Sequence, residues 1–288
     1  ITESRGRGGE IRVYPLNFSE FYTAYGGDFN NAWLMFCNYG GMPLCLSMQT
    51  QKDKAKYLTN LFETTYLADI INRNHLRGNV EINELTDILA SSIGSLTNPL
   101  KLSNAFDSAK KVKLSANTIS AYLGYLQDAF LIEKALRFDI KGKKYINTPA
   151  KYYFVDMGLR NARLSFRQQE YTHIMENVIY NELRSRGYSV DVGVVENVGE
   201  ENGVSVRKSL EVDYAVNSGN RRYYIQSAYN IPSDEKLKQE QASLLSINDA
   251  FRKIIIVNQS ILSGYNEQGI LMLSLFDFLL DPEKSLNL

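Results

Sequence analysis

The chain has 288 residues, 44% of them apolar, with 32 Lys and Arg balanced by 32 Asp and Glu. That length suggests about two domains, and the zero net charge excludes a surface built throughout for polyanions, so any nucleic-acid contact must come from a local patch. Two cysteines, Cys37 and Cys45, are too few for a disulfide framework or a zinc site, and both are read as reduced, buried thiols.

In chain order, the polar, Gly- and Arg-rich Ile1–Glu10 lacks the apolar stretch of a signal peptide. A start at Ile rather than Met implies that the sequence begins inside a longer protein. No apolar run is long enough to span a membrane, and the expected location is cytoplasmic. Glu10 to Tyr14 alternates like a short strand, and Ser19 is placed to cap a helix through Phe21–Tyr25. Gly40-Gly41-Met42-Pro43 breaks a mostly helical run, and a long helix is predicted over 52–73. Helices are then predicted at 84–93, 102–109 and from Ser115 onward, the last with Ile119, Leu123 and Leu126 on one face. Strands at 131–138 and 151–155 flank a Lys141-Gly142-Lys143-Lys144 turn. Three helices followed by a hairpin is the order of a winged helix-turn-helix.

From 161 the pattern changes again. A helix over 170–186 is followed by strands at 188–195, 210–216 and 222–228, with a polar turn expected at 196–204. An amphipathic helix is predicted at 233–245, strands at 253–257 and 270–273, and a closing helix at 275–280. The expected fold class is mixed α/β, organised as a helical segment (1–77), a winged helix-turn-helix (78–160) and a restriction-endonuclease-like α/β domain (161–288).

Four ordered segments carry a family resemblance. They are Gly6-Arg7-Gly8 with Tyr14 to Phe21; Gly40-Gly41-Met42-Pro43; Thr118 to Leu123 with Lys151 to Asn161; and Glu176 to Leu183 with Glu211-Val212-Asp213-Tyr214 and Tyr224-Ile225-Gln226. Together they resemble the C-terminal two-thirds of bacterial AAA-type P-loop ATPases that carry domain of unknown function 4143. The resemblance implies that 1–77 is the edge and lid-type segment of a truncated ATPase, that ATP and magnesium belong to a parent protein, and that Arg7 senses its nucleotide. The Gly-Lys-Ser/Thr phosphate loop that such chemistry needs is absent from these 288 residues. On this reading the chain does not hydrolyse ATP and needs no cofactor. It is a binding and coupling region for a DNA or protein partner, with oligomeric state left open.

Two constellations carry candidate chemistry. Lys110, Lys111 and Lys113 before the third helix, Asn117 on it, and Lys141, Lys143 and Lys144 on the wing form a candidate nucleic-acid surface. The third helix carries no arginine, which argues against bidentate guanine reading. Glu176 on a helix, Asp213 on a strand and Gln226 on the next follow the PD-(D/E)xK nuclease plan, in which two carboxylates hold magnesium and a nearby lysine activates water. Here the second acid is Gln226, a poorer ligand for a hard cation, and the lysine position is Ala228; Lys208 or Lys236 are left to replace it. The expected outcome is a degenerate, inactive site with no metal. The alternatives are a metal-dependent nuclease and a protein-interaction module that binds no nucleic acid. His75 and His173 stand apart without ligand spacing, Glu182 and Arg186 are read as a surface pair, and one tyrosine of each pair Tyr152-Tyr153 and Tyr223-Tyr224 is expected in the core.

Overall fold

The computed structural model describes residues 11–76, 80–110, 113–167, 170–201, 204–259 and 261–281; for 109–110, 197–201 and 204–208 it describes the backbone alone. Ile11 to Tyr14 is extended without a strand partner, and the first helix starts earlier than Ser19. Asn17 caps α1 (Phe18–Tyr25) through a reciprocal pair. Its Oδ1 accepts from the Glu20 N–H at 2.9 Å, while Glu20 Oε2 accepts from the Asn17 N–H at 3.0 Å. α2 (Phe29–Tyr39), α3 (Pro43–Ser47), α4 (Gln51–Asn60) and α5 (Ala68–Arg73) complete the helical segment. The long helix expected over 52–73 is a continuous helical path, but it widens to π-helical geometry over Leu61–Leu67. Phe18 anchors this segment, its ring edge-on to Phe29, Trp33 and Phe36 at 5.4–5.6 Å.

α6 (Val80–Ser91), α7 (Pro99–Lys110) and α8 (Ala116–Asp128) follow. Asn98-Pro99 starts α7: the Lys101 N–H donates to Asn98 Oδ1 at 2.7 Å and Pro99 takes the first helical position. Ser115 caps α8 as expected, and Ile119, Leu123 and Leu126 are its buried stripe. β1 (Ile132–Asp139) and β2 (Lys144–Phe154) form the hairpin, and Thr97 bridges antiparallel to Ala150.

The segment after β2 is a structural hub. Asp156 caps α9 (Met157–Arg163), its Oδ1 accepting from the Leu159 N–H, and its Oδ2 accepts from the Gly41 N–H at 2.7 Å. Gly40 is needed there: its φ is +69°, and a Cβ would lie 2.3 Å from the Asp156 carboxylate. Buried Arg160 donates from Nε to the Ala90 carbonyl at the end of α6, and Asn161 donates to the Cys37 and Asn38 carbonyls near the end of α2. One short stretch thus satisfies exposed carbonyls of two helices and ties α2 and α6 to the strand that precedes it.

α10 (Tyr171–Ser185) leads into β3 (Ser189–Glu201), β4 (Val204–Ser218), β5 (Arg221–Ala228), α11 (Asp234–Leu245), β6 (Arg252–Val257), β7 (Gly264–Tyr265), β8 (Leu271–Ser274) and α12 (Leu275–Leu280). The polar stretch over 196–204 continues the β3–β4 ladder, because backbone pairing asks nothing of side-chain polarity. All eight described strands join one mixed sheet in the order β2-β1-β3-β4-β5-β6-β8-β7, with β1 parallel to β3 and β5, β6 and β8 parallel to one another. α10 packs on one face and α11 on the other. Both faces of β5 are therefore covered, which buries both Tyr223 and Tyr224, and on edge strand β2 both Tyr152 and Tyr153 are buried as well, in the core they share with α8 and α10. The Glu182–Arg186 pair (2.8 Å) is not a surface pair: Glu182 is buried and Arg186 half-buried, with its guanidinium over the Phe278 ring of α12. No helix among the described residues is long and apolar enough to cross a membrane.

Candidate functional site

α10 is pinned at its middle. Asn177 accepts from the Phe154 N–H at 2.9 Å and donates to the Phe154 carbonyl at 2.7 Å, while the Tyr214 hydroxyl donates to the Glu176 carbonyl at 2.7 Å. These bonds aim the Glu176 side chain at the sheet between β2 and β4. Asp213 reaches the same spot from β4. Its Oδ2 accepts from the Ser227 N–H at 2.8 Å, and its own N–H points to Gln226 Oε1 at 3.4 Å. Glu176, Asp213 and Gln226, far apart in sequence, thus share one locality.

The sequence reading missed the centre of this locality. Lys151, on β2 and 3% exposed, places Nζ 2.8 Å from Glu176 Oε1, 2.7 Å from Glu211 Oε1 and 3.9 Å from Asp213 Oδ1. The Tyr153 hydroxyl donates to Glu176 Oε1 at 2.7 Å. The alternation Lys151-Tyr152-Tyr153 was legible as a strand, but nothing local marks a lysine there as buried. His173 stands one helical turn before Glu176, its Nδ1 3.8 Å from Glu176 Oε2. The turn between α6 and α7 closes over the pair: Gly94 has φ +75°, and a Cβ there would lie 2.8 Å from Glu176 Oε2 and 2.9 Å from His173 Nδ1.

The charge balance follows from the geometry. Burial works against the Lys151 ammonium, yet Glu176, Asp213 and Glu211 together hold it above its ordinary value. Glu176, also buried, is pulled below its ordinary value by Lys151 and by hydrogen bonds from its neighbours. Asp213 goes the other way. Burial and the neighbouring Glu176 carboxylate push it up to about 8, because the one ammonium lies farther from it than from its rivals. Glu176 lies close to the ammonium and Asp213 farther from it, so Asp213 is the carboxyl of this cluster that its surroundings push toward the protonated form.

This donor set does not fit a divalent cation. An ammonium sits among the oxygens, the second acid of the plan is the neutral Gln226, and no three His, Cys, Asp or Glu among the described residues are grouped to hold a metal. The lysine position of the nuclease plan is Ala228, 2% exposed in the core. Lys236 is committed to Glu240 on α11 at 2.6 Å, and the Lys208 side chain lies outside the described residues.

The second constellation lies on another surface. Lys113 and Asn117 are exposed at the start of α8, and Lys141, Lys143 and Lys144 are exposed at the hairpin tip. Lys141 donates to the Glu196 carbonyl at 2.9 Å, and Lys144 lies 3.9 Å from Asp139. A groove of about 260 Å³ lies between α8 and the hairpin, bordered by Ser120, Leu123, Gln127, Lys134, Asn147 and Tyr152, and none of Lys113, Asn117, Lys141, Lys143 and Lys144 lines it. Lys111 and Arg7 lie outside the described residues, as does the Lys110 side chain.

Residues 30–170 match the model of domain of unknown function DUF8612. This finding overturns the resemblance to AAA-type ATPases carrying domain of unknown function 4143. Lys151 and Tyr153 fall inside the DUF8612 match, whereas Glu176, Glu211 and Asp213 fall beyond it, so the carboxylate cluster straddles its boundary. An uncharacterized protein of Haemophilus influenzae is 34% identical over 284 residues, covering 96% of this chain and 66% of that protein. Uncharacterized protein MJ1544 of Methanocaldococcus jannaschii is 30% identical over 283 residues, covering 93% and 60%. The chain thus spans somewhat less than two thirds of the length of these relatives. The crystal structure of protein VC1899 from Vibrio cholerae aligns over 98% of this chain and 63% of that one, at 13% identity and a TM-score of 0.29, which carries no argument.

Proposed function

We propose that the chain binds nucleic acid through a winged helix and does not cut it. Two features support the binding half. α6, α7 and α8 followed by the β1–β2 hairpin, with Thr97 bridged to Ala150, have the order of a winged helix-turn-helix. The exposed lysines Lys113, Lys141, Lys143 and Lys144 supply local positive charge to a neutral chain.

One observation carries the non-cutting half. The run α10-β3-β4-β5-α11-β6 has the element order of the PD-(D/E)xK nucleases, with Glu176, Asp213 and Gln226 at its site positions, yet the second metal-gripping acid is the neutral Gln226 and Glu176 is spent in a direct ion pair with Lys151 rather than left beside it for magnesium. A buried ammonium there neutralises the cluster without offering a Lewis acid or a bound hydroxide.

The test mixes the protein with a labelled duplex of about 30 base pairs at about 50 mM salt, with and without magnesium or manganese. The expected result is binding without cleavage, an affinity that falls steeply with salt, and a salt slope flattened by roughly one unit per lysine lost in the Lys141, Lys143 and Lys144→Ala variant. Metal-dependent cutting that Asp213→Ala abolishes would replace this reading with an active nuclease. No binding at low salt would favour a protein-interaction module.

A further inference from the structure

A second surface, away from α8, joins the wing to the core. Phe138 on β1 stacks obliquely with Tyr145 on β2 at 5.3 Å. The Arg222 guanidinium, from β5, lies over the Phe138 ring at 4.8 Å and faces the Phe251 ring at 5.5 Å. Tyr145, Phe138, Arg222 and Phe251 therefore form a ladder of rings around one guanidinium. Both ends are open: Tyr145 is 55% and Phe251 42% exposed. α11 covers β4, β5 and β6 on the sheet but not β1 or β2, which leaves the Tyr145 end uncovered by that helix.

Cations gather at the Phe251 end. β5 and β6 run parallel with Tyr223 opposite Arg252, so Arg221, Arg222 and Arg252 come together at neighbouring strand starts. Arg221 and Arg252 are exposed. With Asn220, Tyr223 and Phe251 these arginines line a depression of about 360 Å³. Asp249, which accepts from the Tyr224 hydroxyl at 2.7 Å and from the Phe251 N–H at 3.1 Å, and buried Asp191, beside Tyr145, lie under this face.

Exposed aromatic faces interleaved with arginines are what an unpaired nucleic-acid strand needs, because every base has a π-face to stack and every phosphate seeks a cation. A duplex hides its base faces and offers nothing to Phe251. An acidic peptide would satisfy the arginines but leave the rings unused. We infer that this face is a binding site for single-stranded nucleic acid, with bases stacked on Tyr145 and Phe251 and phosphates on Arg221 and Arg252. The site meets the duplex contact proposed above at the hairpin tip, where Tyr145 follows Lys144, but its Phe251 and arginines lie outside that contact and it does not depend on it.

The experiment measures binding of labelled oligothymidylate and oligouridylate of about 20 nucleotides by fluorescence anisotropy, beside the duplex used above. Phe251→Ala and Arg252→Ala are each expected to raise the Kd for single strands roughly tenfold and to leave duplex binding unchanged. Alanine at Lys141 and Lys143 is expected to do the reverse. Phe251→Trp is expected to keep the affinity and to lose indole fluorescence as strand is added. Single-strand binding that is absent, or that is indifferent to Phe251→Ala, would sink the inference, as would an unquenched Phe251→Trp. A polyglutamate that binds as tightly and loses as much with Phe251→Ala would reassign the face to an acidic protein. Failure of duplex binding with these single-strand effects intact would overturn the winged-helix reading alone.

Discussion

At the scale of single residues, the decisive feature is the unequal sharing of one ammonium among three carboxylates. The proton that settles on Asp213 makes stability depend on pH in a direction unusual for an aspartate. Its value is about 8 in the folded protein against an ordinary value near 3.8 in the unfolded chain. The native state therefore holds a proton that the unfolded state releases between those values. The stabilisation is fully present below about pH 4 and is lost as pH rises through 8. Asp156 and Asp191, each raised to about 6 by burial, act in the same direction at lower pH, and His173, raised by its hydrogen bond to Glu176, acts in that direction above pH 6, so the Asp213 contribution is read as the difference between wild type and an Asp213 variant. Asp213→Asn cannot ionise and keeps an oxygen for the Ser227 N–H. Urea unfolding between pH 6 and pH 8 is expected to show the wild type losing on the order of a few kcal/mol and the variant losing distinctly less. Equal slopes would mean that Asp213 is ionised throughout.

At the scale of elements, the turn between α6 and α7 meets the carboxylate cluster at Gly94. A side chain there is blocked twice, by φ +75° and by Glu176 and His173 less than 3 Å from a Cβ. Gly219 offers the control: its φ is +58°, but nothing lies within 4 Å. Gly219→Ala is expected to cost about 1 kcal/mol for the backbone alone, and Gly94→Ala distinctly more, about 2–3 kcal/mol, with a shifted His173 titration by NMR. Equal losses would show that the turn yields without disturbing Glu176. Much at this scale was legible in the sequence. Ser115 with Ile119, Leu123 and Leu126 announced α8, because a cap and a 3.6-residue stripe are local signals. The strands containing Asp213 and Gln226 were legible from their apolar alternation. Lys151 was not, since its partners come from α10 and β4, and only the folded sheet brings them to β2. The Asp156-to-Asn161 stretch was visible as a motif but not as a hub, because the carbonyls it satisfies belong to α2 and α6.

At the scale of the whole molecule, β1 belongs to two structures at once. It pairs antiparallel with β2 in the hairpin and parallel with β3 in the sheet that carries the carboxylate cluster. Lys151 strengthens the union, because its strand lies in the hairpin and its charge partners lie in the core. Near- and far-ultraviolet circular dichroism and calorimetry are therefore expected to report one cooperative unfolding transition. Two resolved transitions would show that the hairpin and the core are energetically separate.

Sharing a strand also means that neither half is a cassette that can be lifted out and reused. A cut between β1 and β3 would bare a row of unpaired amide and carbonyl groups on each piece, the kind of raw edge on which other chains stack and precipitate. A trimmed version meant to isolate one activity should therefore keep β1 and β3 together and shed material at the ends instead.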